Sequence, residues 1–265
     1  MRFLALAAFA FAALAPAQWL DYPTRGIPRT KDGKPNLTAP VPRTPEGKPD
    51  FAGMWQAANP LPCDGINRVC TDLAISQQFL NIGADLKDGL PYLPWVRDRV
   101  RQKGPADDPY VRCIAPGGAR MHLLPTMKKW IQTPGLLVIL DEYNASFRQI
   151  FTDGRPLPQD PQPALNGYST GHWEGDTLVV ESIGFHDDSW LDAAGSALTG
   201  AGKVIERIRR LNFGNLEVEI TVNDPKAYSR PWTVLVQQAG VFDTELLDAY
   251  CLENEKDVPH LPPHK

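Results

Sequence analysis

Two stretches of the chain carry side chains that could do chemistry. The first is Phe185-His186-Asp187-Asp188-Ser189-Trp190-Leu191-Asp192, a histidine among three carboxylates. A histidine with an orienting acid has the composition of a general base, and the same donors suit a divalent metal. The plainer reading is a solvated loop whose aspartates cap turns while Trp190 packs down. Adjacent loop positions seldom converge on one ligand, so that reading carries more weight. The second stretch is the alternating run 203–211. Glu206 and Arg210 share a face with Val204 and Ile208, whereas Arg207 and Arg209 share the other with Ile205 and Leu211. Whichever face lines an interior carries charge among aliphatics, and a buried charge needs a partner or a function. Glu206 then reads as an interior acid and Arg210 as a grip for a ligand carboxylate. The alternative is an internal ion pair, with Glu181 or Arg148 as cross-strand partner.

From these residues the expected acid–base set is Glu206, His186, Asp188 and Asp192. The expected ligand contacts are Arg210, Glu181, Trp173, His172 and Trp190. His172 and Trp173 open a hairpin, where Trp173 suits a plug at the end of a barrel as well as a ligand platform. His122 follows Arg120 and Met121 in the glycine-containing loop 115–124, whose amides could face an anion. HExxH, GxSxG, GxGxxG, P-loop and CxxCH patterns are all absent. Flavin, nicotinamide, nucleotide and haem c chemistry therefore have no support, and no cofactor and no metal site is expected.

The elements that must position these groups are mostly strands. Leu136 to Leu140 is a short apolar run; 147–152, 216–222 and 232–237 alternate apolar with polar residues. Turn signals at Asp153-Gly154, Glu174-Gly175-Asp176 and Phe213-Gly214-Asn215 separate the runs. No helix-length pattern intervenes between 128 and 185, which argues for an antiparallel meander. Eight or nine such strands predict a barrel, lipocalin-like in spirit, because closure removes exposed edges. Two helices are expected near 71–103. Thr71 or Asp72 would cap the first and Gly83 would end it; the second runs from about Pro94 to Lys103.

Residues 18–50 form a Pro- and Gly-rich extended arm. Its segment Pro28-Arg29-Thr30-Lys31-Asp32-Gly33-Lys34-Pro35 returns 14 positions later as Pro42-Arg43-Thr44-Pro45-Glu46-Gly47-Lys48-Pro49. Two copies are too few for a solenoid, and a wrap around the outside of a domain or a partner-docking arm are both open. The domain itself is expected over 51–254, followed by a disordered tail, 255–265.

Residues 1–17 read as a signal peptide: Arg2, an uncharged apolar run from Phe3 to Leu14, and Ala15-Pro16-Ala17 before a cut after Ala17. The run is shorter than the roughly 20 residues a spanning helix needs. A periplasmic or extracellular location follows. Losing Arg2 and no acid moves the net charge from −4 to −5. A mildly acidic chain without a basic stripe suits neither nucleic acid nor an anionic membrane. Four cysteines in an oxidising compartment read as two disulfides. Three pairings are open, of which Cys63–Cys70 and Cys113–Cys251 is the expected one.

Beyond these patterns the chain resembles a large family of exported bacterial proteins. The resemblance lies in Gly171-His172-Trp173-Glu174-Gly175-Asp176-Thr177-Leu178-Val179-Val180-Glu181-Ser182 and in Asp224-Pro225-Lys226-Ala227-Tyr228 with Pro231-Trp232. It extends through Cys113 to Gly118, Gln132 to Gly135, Arg148 to Arg155 and Ser189 to Asp192, and so covers most of the chain. It implies export but brings no established activity. The family pattern carries a Pro-His-Ser where this chain reads Gly195-Ser196-Ala197-Leu198-Thr199-Gly200; an activity resting on that histidine would be missing here. A weaker likeness joins the WEGDTLV segment to the hairpins of lipocalin and fatty-acid-binding barrels. The expected function is binding of a small, largely apolar ligand in a barrel cavity. The alternative is a cofactor-independent envelope hydrolase, lyase or isomerase. Oligomeric state is left open.

Overall fold

The structure is a computed structural model that describes residues 22–58 and 75–251. The expected signal peptide 1–17, Cys63 with Cys70, the cap candidates Thr71 and Asp72, and the expected tail 255–265 lie outside the described residues.

The chain enters β1 (Gly53–Ala57), then two helices, α1 (Gln77–Leu80) and α2 (Pro94–Gln102). A 3₁₀ segment, Gly118–Leu123, follows. The remaining strands are β2 (Lys128–Thr133), β3 (Leu136–Asp141), β4 (Phe147–Phe151), β5 (Tyr168–Glu174), β6 (Thr177–Ile183), β7 (Ser189–Trp190), β8 (Ala197–Leu198), β9 (Lys203–Asn212), β10 (Asn215–Asn223) and β11 (Trp232–Gly240). Ser76 caps α1: its Oγ accepts from the Phe79 amide at 3.1 Å. α1 ends at Asn81, ahead of Gly83. α2 starts on Pro94, whose ring presets the helical φ, and stops before Gly104-Pro105.

Nine strands close into a barrel in the order β1-β11-β10-β9-β6-β5-β4-β3-β2, with β7 and β8 as a separate ribbon. The barrel is mixed rather than wholly antiparallel, because β4 and β5 run parallel. An odd-stranded ring cannot alternate direction throughout, so one same-direction pair is required. The sequence places it: Pro156, Pro158, Pro161 and Pro163 forbid a hairpin, and the chain runs back along the barrel before β5 begins. This seam is short, with Ile150 opposite Ser169 and Phe151 opposite Thr170. The adjoining β5–β6 ladder spans seven pairs, from Tyr168–Ile183 to Glu174–Thr177.

The interior is filled. Trp55, Trp130, Ile139, Ile150, Val180 and Val204 are fully or almost fully buried within the strands. The Gly118–Leu123 segment is buried along its whole length. Phe51, also buried, packs edge-on against Trp130 and stacks on Trp173 with ring centroids 5.4 Å apart. These rings pack against a larger core of buried aliphatic side chains, and their burial excludes water.

The duplicated arm forms two copies of one small hairpin. Thr30 and Thr44 amides each donate to the carbonyl four residues on, at 2.8 Å in both copies. Gly33 and Gly47 occupy the left-handed region that the turn needs (φ +83° and +77°). Each copy holds the barrel by an arginine fork: Arg29 on Asp243, and Arg43 on Asp176 at 2.6 and 2.7 Å. Cys113 and Cys251 form a disulfide across 138 residues. Among the described residues no helix is long and apolar enough to cross a membrane.

Candidate functional site

Strand alternation turns Glu206 inward, where it is fully buried. Its carboxylate accepts from both terminal nitrogens of Arg148, one at 2.9 Å and one closer. It also accepts from His122 Nε2 at 2.8 Å. Arg148 reaches Glu206 by crossing behind β5 and β6, and there it donates to Ser169 Oγ (3.3 Å) and Ser182 Oγ (3.0 Å). The two hydroxyls also bond each other at 2.7 Å. Burial alone would push the Glu206 carboxyl up. The Arg148 charge and the hydrogen bonds from Arg148 and His122 outweigh it and hold the group well below the usual carboxylate range. Burial lowers His122 against the opposing pull of Glu206, so the ring is neutral at physiological pH. An ionised carboxylate can only accept; the neutral ring therefore carries its proton on Nε2. Arg148 was the right cross-strand expectation, and His122 is a partner that strand alternation could not reveal, because it comes from the 3₁₀ segment.

The expected acid–base set does not converge. His186 and Asp188 are exposed on the barrel's flank. Asp192 is buried elsewhere, accepting from the Ile82 and Ser196 amides and the Ser196 hydroxyl, which ties α1 to the β7–β8 ribbon. Burial raises its pKa. Glu181 points outward and pairs with Lys203 at 2.6 Å, not with Glu206. Arg210 does point inward, yet its guanidinium is spent on carbonyls at the strand ends, including Asp50 and Phe213, and stacks over Trp55 at 4.9 Å. His172 is exposed beside Glu174 at 3.3 Å. Trp190 is buried with Arg99 over its ring at 5.2 Å.

A cavity at the barrel's mouth has a volume of about 490 Å³. Leu137, Leu178, Trp173 and Ala52 give it apolar walls, and Gln132 and Lys48 stand at its edge. Gln132 fixes the plug beneath: its Oε1 accepts from the Phe51 amide at 2.8 Å, and its Nε2 donates to Pro49 O at 3.1 Å. One whole side is the second arm hairpin, from Arg43 to Asp50. Lys48 Nζ sits 5.7 Å over the Trp173 ring. Trp173 is thus both plug, through Phe51, and cavity wall. Of the expected ligand residues it alone borders this cavity. Leu137, Leu178, Gln132 and Lys48 were missed; the duplicated arm was the signal that could have pointed to them.

A second cleft lies over the short β4–β5 seam. It has a volume of about 720 Å³ and is lined by Phe147, Phe151, Leu165, Tyr168 and His186. A smaller recess of about 220 Å³ adjoins it beneath the 186–190 loop. Comparison with protein-family models and with curated proteins gave no match to this chain.

Proposed function

We propose that this is an exported binding protein of the resembled family, taking a small, largely apolar ligand in the barrel-mouth cavity. The observation that carries the reading is the convergence of Leu137, Leu178 and Trp173 on an unfilled space in an otherwise packed barrel. A ligand site is typically a mostly apolar concavity with a few polar groups at its edge. Lys48 supplies such a group, placed to meet the polar end of the ligand while its body lies against Trp173 and the leucines. Export is supported by the leader sequence, and the long-range Cys113–Cys251 bond suits an oxidising compartment. Acid–base catalysis by Glu206 has less support: a general base needs a pKa near the working pH, and Arg148 and His122 hold Glu206 well below it.

The test is a fluorescence titration of the leaderless chain with 8-anilinonaphthalene-1-sulfonate, an apolar body with one anionic end. Saturable binding is expected. Ala52→Trp, at an exposed wall position, should fill the mouth and weaken binding roughly tenfold or more without lowering Tm. Dye binding that is unchanged in Ala52→Trp overturns the assignment.

A further inference from the structure

The structure assigns a second site, on the barrel's flank, to the carbonyl end of a compact, uncharged, apolar molecule. It is the recess of about 220 Å³ under the 186–190 loop. It shares no wall residue with the mouth cavity.

The walls are apolar: Pro109, Ile114, Pro116, Leu165 and Trp190. The polar groups that border it have hydrogen-bonding capacity unused. Arg120 is only 2% exposed. Its two terminal nitrogens are engaged by Asp108, one at 2.8 Å and one closer. Its Nε–H, buried, has no partner among the described residues, and neither has the buried hydroxyl of Ser189. A buried donor without an acceptor is unfavourable, and an incoming acceptor relieves it. A carbonyl oxygen, an acceptor with no proton of its own, suits a recess bordered by residues that carry such unpaired donors.

Charge decides between a neutral ligand and an anion. Asp108 already neutralises Arg120 through a two-point pair. Asp188 stands at the rim. A carboxylate would meet no uncompensated cation in the recess and one acid at its edge, so the neutral carbonyl is favoured.

Size sets the rest. An engineered cavity of about 150 Å³ takes benzene, so this recess has room for a six-membered ring bearing a short carbonyl substituent. It shares Ala115, Pro116, Leu165 and His186 with the wider groove over the seam, which gives a way in.

The recess is held rigidly. At Gly117 an added Cβ would lie 1.9 Å from the Leu165 carbonyl oxygen, so only glycine permits this close approach. The Gly118 amide donates to Asn166 Oδ1 at 3.0 Å. Asn144 bonds both the Cys113 carbonyl and the Cys251 amide at 2.8 Å, bracing the disulfide beside the wall. A preformed wall keeps the ordering cost of binding low.

Saturation-transfer NMR on the leaderless chain with acetophenone, ethylbenzene and benzoate tests the assignment. Acetophenone should bind saturably, with ethylbenzene, its near-isostere lacking the acceptor, weaker by roughly tenfold. Benzoate should bind no better than ethylbenzene. Ser189→Ala should narrow the acetophenone preference several-fold while leaving ethylbenzene unchanged. Ala115→Phe, at the shared wall, should abolish acetophenone binding, and Ala52→Trp at the mouth should leave it intact. Equal binding of acetophenone and ethylbenzene, tighter benzoate, survival of binding in Ala115→Phe, or no binding of any probe would each overturn it.

Discussion

Inside the barrel Glu206 has three donors and Arg148 has four acceptors, while at the mouth Leu137, Leu178 and Trp173 border a cavity of about 490 Å³. The first region carries the side chains that look chemical in the sequence, and most of their hydrogen-bonding capacity goes to one another, Arg148 Nε and His122 Nδ1 excepted. The second carries leucines, a tryptophan and a duplicated Pro-Gly arm, unremarkable as chemistry, and it is there that space remains. Buried charge is expensive unless every lone pair and proton is matched. The same ion pairing that keeps Glu206 charged in the core holds its pKa too low for proton transfer. A group paired in this way belongs to folding, and an unfilled apolar concavity to binding.

The largest expected effect breaks or upholds that division directly. Glu206→Gln removes the charge and orphans Arg148, so stability should fall by about 3–5 kcal/mol. For a chain of this size that is on the order of 10 °C in Tm. Dye binding at the mouth should survive below the lowered Tm. An unchanged Tm with lost binding would reverse the roles assigned to the two regions. The pH response has a definite sign. Glu206 holds its charge in the fold below its ordinary 4.5, and His122 stays neutral below its ordinary 6.5. Both are harder to protonate folded than unfolded. Their contribution is thus full above the unfolded values and is lost as pH falls, first below 6.5 through His122 and then below 4.5 through Glu206.

Lys128 gives the opposite case, a buried charge poorly compensated. It is fully buried next to Trp130, with its ammonium on the Leu124 and Thr126 carbonyls at 3.0 and 2.5 Å. Burial lowers its pKa to about 8, against the pull of Asp141 and Glu142. The unfolded chain holds that proton up to 10.5, so between 8 and 10.5 the unfolded state binds more protons and stability should rise with pH. The span corresponds to about 3 kcal/mol. Thermal melts of the parent and of Lys128→Met from pH 7 to 10 should run parallel below about 8 and separate above it, the parent gaining stability relative to the variant. Curves parallel throughout would show that Lys128 keeps its charge in the fold, and would remove it as the counter-example.

Most of the strand framework was legible, because alternation at 203–211, 216–222 and 232–237 is a two-residue period that only a half-buried strand explains. The same period put Glu206 inside. It could not say what met it there: Arg148 lies three strands away in the ring and His122 in a 3₁₀ turn. Ring closure, which fixes those distances, is a property of the whole sheet. The parallel seam was missed although the four prolines of 156–163 forbid a hairpin. Glu181 was misplaced for a simpler reason. It alternates against Val180, and Lys203 on the neighbouring strand was a ready outward partner. The mouth cavity was invisible because its wall is the arm, whose docking rests on contacts far apart in sequence, such as Arg43 with Asp176 and the Leu37 and Ala39 carbonyls with the Gly214 and Phe213 amides.

The smallest effect separates the two arm copies, and it sharpens the comparison furthest because they share a backbone. The Arg43 copy walls the mouth, while no residue of the Arg29 copy lines that cavity. Both arginines sit in solvent-exposed pairs, Arg43–Asp176 and Arg29–Asp243, of the kind that adds little to global stability. Neither Arg43→Ala nor Arg29→Ala should lower Tm measurably. Arg43→Ala should nevertheless weaken dye binding severalfold, because the hairpin carrying Lys48 is then held at the rim by fewer contacts. Arg29→Ala should leave it alone. Raising the salt toward 1 M, where charges are screened beyond about 3 Å, should bring the parent toward Arg43→Ala and change that variant less. Equal losses in the two variants would mean that the arm acts as one unit and that the mouth has no hairpin of its own.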